Sequence, residues 1–157
     1  MTPGFLELKR RLPAEIGRVF AAWSSAEMLA RWFVCAPGWT ATAISDFRVG
    51  GKYRIEMRSD GRLVGAAAGE YREIAPPHRL VFTWSSEGGI SVGHSLVTVE
   101  LTAAGAHTDL RLVHDLAPDS AAGRAHGAGW RACLDSLDRL LEPNPTQSKE
   151  ITTERSG

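Results

Sequence analysis

Five histidines and two tyrosines are the residues here with the most adaptable chemistry, and their spacing limits what they can do. An imidazole that titrates near neutrality suits proton transfer. His114 closes an alternating run in which Leu110, Leu112 and His114 share a face, so it points inward among apolar side chains. A general base at that place needs an orienting partner, and Asp115 falls on the opposite face. The plainer alternative is a core histidine with its hydrogen bonds met. His78, His94, His107, His114 and His126 show no HxH or HExxH spacing, so no metal site is expected. Gly50-Gly51 leads into a strand, where a phosphate loop would need a helix, and is therefore a turn. Cys35 and Cys133 lie in unrelated contexts with no CxxC, which predicts two reduced thiols, Cys133 being packed and inert. On these grounds no catalytic residue and no cofactor is assigned.

The element that must position such residues is a long amphipathic helix over Asp119 to Glu142. Trp130, Cys133, Leu134, Leu137, Leu140 and Leu141 form its apolar stripe, with Arg131, Asp135, Asp138, Arg139 and Glu142 opposite. Arg131–Asp135 and Asp135–Arg139 have the i,i+4 spacing of helical ion pairs. Asp119 or Ser120 suits the cap, and Pro143 the stop. Gly123, Gly127 and Gly129 each cost about 1 kcal/mol relative to alanine. They suggest a helix thinned to leave room for a guest or for another surface.

Upstream, Phe5 to Leu12 alternates as a short strand, and Pro13 suits the start of a helix carrying Ile16, Val19, Phe20 and Trp23. A second short helix spans about Ala26 to Phe33, without a capping box at Ser25. From Thr40 the period becomes two. Strands are expected through Ala43–Val49, Lys52–Arg58, Val64–Ile74, His78–Ser85, Ser95–Leu101 and His107–Leu116. The separators are Gly50-Gly51, Asp60-Gly61, Pro76-Pro77, Gly88-Gly89 and Ala104-Gly105, which is the pattern of consecutive hairpins. An antiparallel meander closed by one helix follows, an α+β fold with one charged sheet face in water. Residues 1–142 make the domain, and 143–157 are expected to be a disordered tail.

A chain of 157 residues with 43% hydrophobic content has enough apolar material for one core. Its 18 basic residues balance 18 acidic ones, which argues against nucleic acid as a partner. No apolar run reaches the ~20 residues of a bilayer span, so no membrane insertion is expected, and the two free thiols make a cytoplasmic location the expectation.

Three segments, Phe20-Ala-Ala-Trp23 with Ala30-Arg-Trp-Phe33, Asp46-Phe-Arg-Val-Gly-Gly-Lys-Tyr53, and Gly69-Glu-Tyr-Arg-Glu-Ile-Ala-Pro-Pro-His-Arg-Leu-Val-Phe-Thr-Trp84, carry a resemblance. With Gly129-Trp130 in the last helix, they resemble the heat-shock protein 90 ATPase activator-like family, in the SRPBCC (START-like, birch-pollen-allergen-like) superfamily, in order from about Phe5 to Glu142. The resemblance implies a helix-grip fold, a curved antiparallel sheet wrapped around the C-terminal helix with two short helices near the start. It also implies a lipid- or hydrophobe-binding pocket between sheet and helix. A chaperone partner would be carried over from the eukaryotic co-chaperone, whose additional N-terminal domain a chain of this length has no room for.

The inward face predicted to bind a small hydrophobic or aromatic molecule comprises Trp32, Phe33, Tyr53, Ile55, Met57, Tyr71, Phe82, Trp84, Val97, Leu112, His114, His126, Trp130 and Leu134. The alanines Ala66 to Ala68 and the helix glycines would leave the space. One rival is a small cyclase- or hydrolase-like enzyme in which His114 or Tyr53 moves protons. The other is an interaction module working through Arg54 and Arg58 on the outer face. An open sheet edge also allows a homodimer.

Overall fold

The computed structural model describes residues 4–34, 36–87 and 95–143. Cys35, His94, the Gly88-Gly89 turn and the expected tail beyond Pro143 lie outside the described residues. Among the described residues seven strands form one antiparallel sheet: β1 (Leu6–Leu12), β2 (Thr40–Ser45), β3 (Lys52–Ser59), β4 (Arg62–Ala75), β5 (Arg79–Glu87), β6 (Ser95–Ala104) and β7 (His107–His114). Their order is β1-β7-β6-β5-β4-β3-β2, so every neighbour from β2 to β7 is a sequence neighbour and β1 joins at the far edge. The meander read from the two-residue period is therefore present. Asp60 and Gly61, at φ 51° and 78°, make the left-handed turn that a two-residue hairpin needs.

Two short helices, α1 (Ile16–Trp23) and α2 (Ala26–Trp32), separate β1 from β2, and α3 (Ala121–Leu141) follows β7. Helix α1 starts three residues after Pro13, because the Glu15 carboxylate accepts from the backbone N–H of Gly17 and Arg18. Ser25 also caps: its hydroxyl accepts from Met28 N–H at 3.2 Å. Ser120 caps α3 by accepting from Gly123 N–H. No helix among the described residues is long and apolar enough to cross a membrane.

The apolar stripe of α3 lies where expected, with Trp130, Cys133, Leu134, Leu137 and Leu141 buried. Its polar side differs from the expectation. Asp135 pairs with Arg10 of β1 at 2.6 Å, an ion pair between helix and sheet in place of those within the helix. Two of the helix glycines serve the approach of another surface, the second of the two roles expected of them. A Cβ on Gly123 would stand 1.9 Å from the Ala117 carbonyl oxygen, and one on Gly127 would stand 3.3 Å from Leu6 Cδ1. These two positions let chain approach chain; they do not make room for a guest.

The outer face of the sheet is a lattice of ion pairs. Arg54 joins Glu56 and Glu87, Arg58 joins Glu56, and Arg111 bridges Glu7 and Glu100. Each exposed pair contributes about 0–1 kcal/mol, so the stability must come from the opposite face. There Trp23, Trp32, Phe33, Phe82, Trp84 and Trp130 are all buried in one cluster. Ring centroids lie 4.7 Å apart for Trp23–Trp32, 5.4 Å for Trp32–Phe33 and 5.0 Å for Trp84–Trp130, within the range for favourable aromatic pairs.

Gly69 shows how tightly this face is assembled. A Cβ there would meet the Thr83 carbonyl oxygen at 1.8 Å, and the Tyr53 hydroxyl donates to that same oxygen at 2.6 Å. Gly69→Ala should therefore lower the free energy of unfolding by about 1–3 kcal/mol through overpacking. Urea unfolding checks this, and an unchanged midpoint would refute the close approach.

Candidate functional site

The aromatic cluster ends before the sheet and helix do. Between β3, β4, β5 and the N-terminal half of α3 it leaves a cleft of about 310 Å³. Phe33, Trp84 and Trp130 line it with their rings. Gly65, Ala66 and Ala67 on the sheet, and Ala125, Ala128 and Gly129 on the helix, bring only small side chains to its walls. Met57, Trp39, Val64 and Cys133 complete the apolar lining, and Ser86, Glu87 and His126 are its polar groups. This volume falls at the lower end of the roughly 300–1,000 Å³ usual for small-molecule sites.

A larger depression of about 780 Å³ is lined by Lys9, Arg10, Arg11, His78, Arg79, Glu100, Asp109 and Arg111, with Leu101, Thr102 and Leu110. Arg11, Arg79 and Arg111 are already held by Asp109, Glu100 and Glu7. It is wide and charged, and Arg10 is held from outside it by Asp135. The apolar cleft is the better candidate.

All fourteen residues expected to face inward do so: thirteen are buried and His126 is half-buried. The cleft gathers five of them, Phe33, Met57, Trp84, His126 and Trp130. Tyr53, Ile55, Tyr71 and Phe82 lie deeper, around a chamber of about 20 Å³ that also touches Phe33 and Trp84. Trp32, Val97, Leu112, His114 and Leu134 line neither space. The gap is thus smaller and nearer the surface than the whole inward face would suggest. Trp39, Val64, Ser86 and Glu87 belong to it without having been singled out in the sequence.

His114 is sealed. The Trp130 indole N–H donates to its Nδ1 at 3.1 Å. Nε2 therefore carries the proton and donates to Ser95 Oγ at 2.8 Å, and that hydroxyl donates to the Trp84 carbonyl oxygen at 3.1 Å. Burial, and secondarily the neighbouring His126, push its pKa down to about 3. Both ring nitrogens are engaged, so no lone pair remains for a substrate proton. Tyr53 and Tyr71 are engaged as well, Tyr53 with Thr83 O and Tyr71 with Ser45 Oγ at 2.7 Å. Burial raises the pKa of both.

His126 is different, because it faces the cleft. Its Nδ1 lies 2.9 Å from the Ala122 carbonyl, which can only accept, so Nδ1 carries the proton. In the neutral ring Nε2 then accepts from the Ser86 hydroxyl, 3.3 Å away. Glu87 stands beside them with its carboxylate held by Arg54, which keeps its pKa below the usual range.

A curved antiparallel sheet gripping a C-terminal helix, with an apolar cleft where the two diverge, defines a helix-grip domain. The chain belongs to the family described as Activator of Hsp90 ATPase homolog 1-like protein, whose profile matches residues 13–142. Among solved structures it is similar to protein CV1439 from Chromobacterium violaceum, at 29% identity over 90% of this chain and 100% of that one, TM-score 0.77. It is also similar to a Rhizobium leguminosarum protein at 30% identity, covering 86% and 94% of the two chains, TM-score 0.67. CalU16 from Micromonospora echinospora matches at 26% identity over 96% and 82%, TM-score 0.65. No curated protein matches the sequence.

Two outcomes test this arrangement. Trp130→Ala should cost roughly 3–5 kcal/mol of stability, since it removes a buried ring and strips His114 of its donor. A variant that keeps its melting temperature would contradict the role of Trp130. The second concerns pH. An unfolded histidine binds a proton near pH 6.5, whereas folded His114 refuses one until about 3. Stability should therefore fall as pH drops from about 6.5, by up to about 1.4 kcal/mol per unit from this group. Paired carboxylates such as Glu56 and Asp109 add their loss only at lower pH. His114→Gln should flatten the slope between pH 6.5 and 5, and parallel slopes in urea titrations would contradict a sealed neutral ring.

Proposed function

We propose that this protein binds a small, mainly apolar molecule bearing aromatic rings in the cleft between β3–β5 and the N-terminal half of α3. One observation carries the reading: glycine and alanine from both sheet and helix line one cleft together with Phe33, Trp84 and Trp130. Planar faces that meet a planar guest provide contact area and ring–ring attraction. The few polar groups at the cleft, Ser86 and His126, suit orientation of the guest. The superfamily's habit of holding hydrophobic molecules between sheet and helix supports the same view. Action by binding is favoured over catalysis, because His114 and Tyr53, the groups considered for proton transfer, are committed to internal hydrogen bonds. The site of action is taken to be the cytoplasm, where a thiol such as Cys133 in the cleft stays reduced.

Native mass spectrometry of the purified protein, followed by titration with the fluorescent probe N-phenyl-1-naphthylamine, tests the reading. Ala128 is exposed at the helix wall, so Ala128→Phe should occupy the cleft while leaving the core untouched. Probe affinity should drop at least tenfold with the melting temperature little changed. Equal affinity in both proteins would remove the cleft as the binding site.

A further inference from the structure

Two indole N–H groups in the core are without a hydrogen-bond partner. Trp23 Nε1 and Trp84 Nε1 are buried and unbonded among the described residues. Trp32 and Trp130, buried in the same cluster, donate to the Ala22 carbonyl and to His114 Nδ1. A buried donor left unmet carries its full desolvation penalty, and the large majority of such groups in folded proteins have a partner. Both rings line the inner chamber of about 20 Å³. That is room for a single oxygen-sized group, as a water needs about 10–15 Å³ by the same kind of measure.

The rest of the chamber wall defines the group that fits. Leu29, Ile55, Leu80 and Phe82 are apolar, and the hydroxyls of Tyr53 and Tyr71 are already bonded elsewhere. Among the described residues no lysine or arginine lines it. Two neutral donors without a cation favour a neutral acceptor over a carboxylate, whose charge would be buried uncompensated. The chamber and the cleft share Phe33 and Trp84, whose ring centroids are 5.9 Å apart.

We infer that the chamber is the inner subsite for the cleft's ligand, and that the ligand is a neutral aromatic carbonyl compound (a ketone, ester or quinone) whose oxygen accepts from the indoles of Trp23 and Trp84. Its rings lie in the cleft between the alanine and glycine walls, and a small rotation of Phe33 or Trp84 joins the two spaces. This inference rests on the proposed binding in the cleft and adds to it the chemistry of the guest.

Two probes of nearly equal shape separate the claims. 2-Acetylnaphthalene carries the acceptor, and 2-ethylnaphthalene replaces its oxygen with hydrogen. Each is titrated into the ¹⁵N-labelled wild-type protein, with the five indole N–H resonances observed directly and assigned through Trp23→Phe and Trp84→Phe. The acetyl compound should bind at least tenfold more tightly and move the Trp23 and Trp84 resonances downfield. Its advantage should fall below threefold in Trp84→Phe. Equal affinity of the two probes in the wild-type protein, with both indole resonances unmoved, would overturn the carbonyl subsite and leave the cleft reading standing. So would a crystal structure with acetylnaphthalene in the cleft and a water bridging the indoles. Binding of neither probe would remove the cleft reading and this inference together.

Discussion

A buried hydrogen-bonded chain that runs from helix to sheet determines where α3 can lie. The Trp130 indole donates to His114, His114 donates to Ser95, and Ser95 donates to the carbonyl of Trp84. Each link uses a polar group that would be costly to bury alone. The chain holds together only if His114 is neutral with its proton on Nε2, so tautomer, ring orientation and helix position are one constraint. Since the Trp130 indole and the Trp84 backbone carbonyl stand at its two ends, the same constraint fixes the ring of Trp130 and the stretch of β5 that carries Trp84 to the cleft. The helix cannot slide by a turn without breaking the Trp130–His114 bond, the link of the three that crosses from helix to sheet.

That anchoring divides the inward face into two regions of different character. Below Phe33 and Trp130, leucines from α3, β1 and β7 pack to near-zero exposure, Leu12, Leu112, Leu134 and Leu137 among them. Above them the wall residues shrink to glycine and alanine on both sides, and packing stops. A filled core and a cleft therefore share one sheet face. The boundary between them is a row of aromatic rings. Arg10 and Asp135 join β1 to α3 outside the packed region, and the ion pairs of the outer face keep that surface soluble without deciding the fold.

The architecture was legible because it follows from periodicity. Two-residue alternation gave the strands and their inward side, and the 3.6-residue stripe gave α3, including Trp130 and Leu134. The cleft was less legible, because its edge depends on which rings touch across elements distant in sequence. Alternation put Leu112 and Tyr53 on the same footing as Met57, and only packing separates them. The helix glycines were ambiguous for the same reason. Nothing local distinguishes Gly129 at the cleft from Gly123, which meets the backbone of Ala117, or Gly127, which meets Leu6. Trp39 follows the irregular segment around Gly38, where no period applies. Ser86 continues the alternation of Leu80, Phe82 and Trp84, but it and Glu87 lie past Ser85, where the expected strand ended, whereas β5 runs on to Glu87. Ala66 and Ala67 are both buried, which strict alternation forbids; the pairing of β3 with β4 shifts register nearby, between Met57 and Arg58.

On the proposed binding, a guest enters only where the ring row leaves the sheet and helix apart. Mapping backbone amide shifts during titration with N-phenyl-1-naphthylamine tests it most directly. Gly65, Ala66, Ala67 and the turns of α3 from Ala125 to Trp130 should respond, while Leu110, Leu112 and Leu137 stay still. Shifts concentrated on the charged face around Arg79, Glu100 and Arg111, or none at saturating probe, would contradict it.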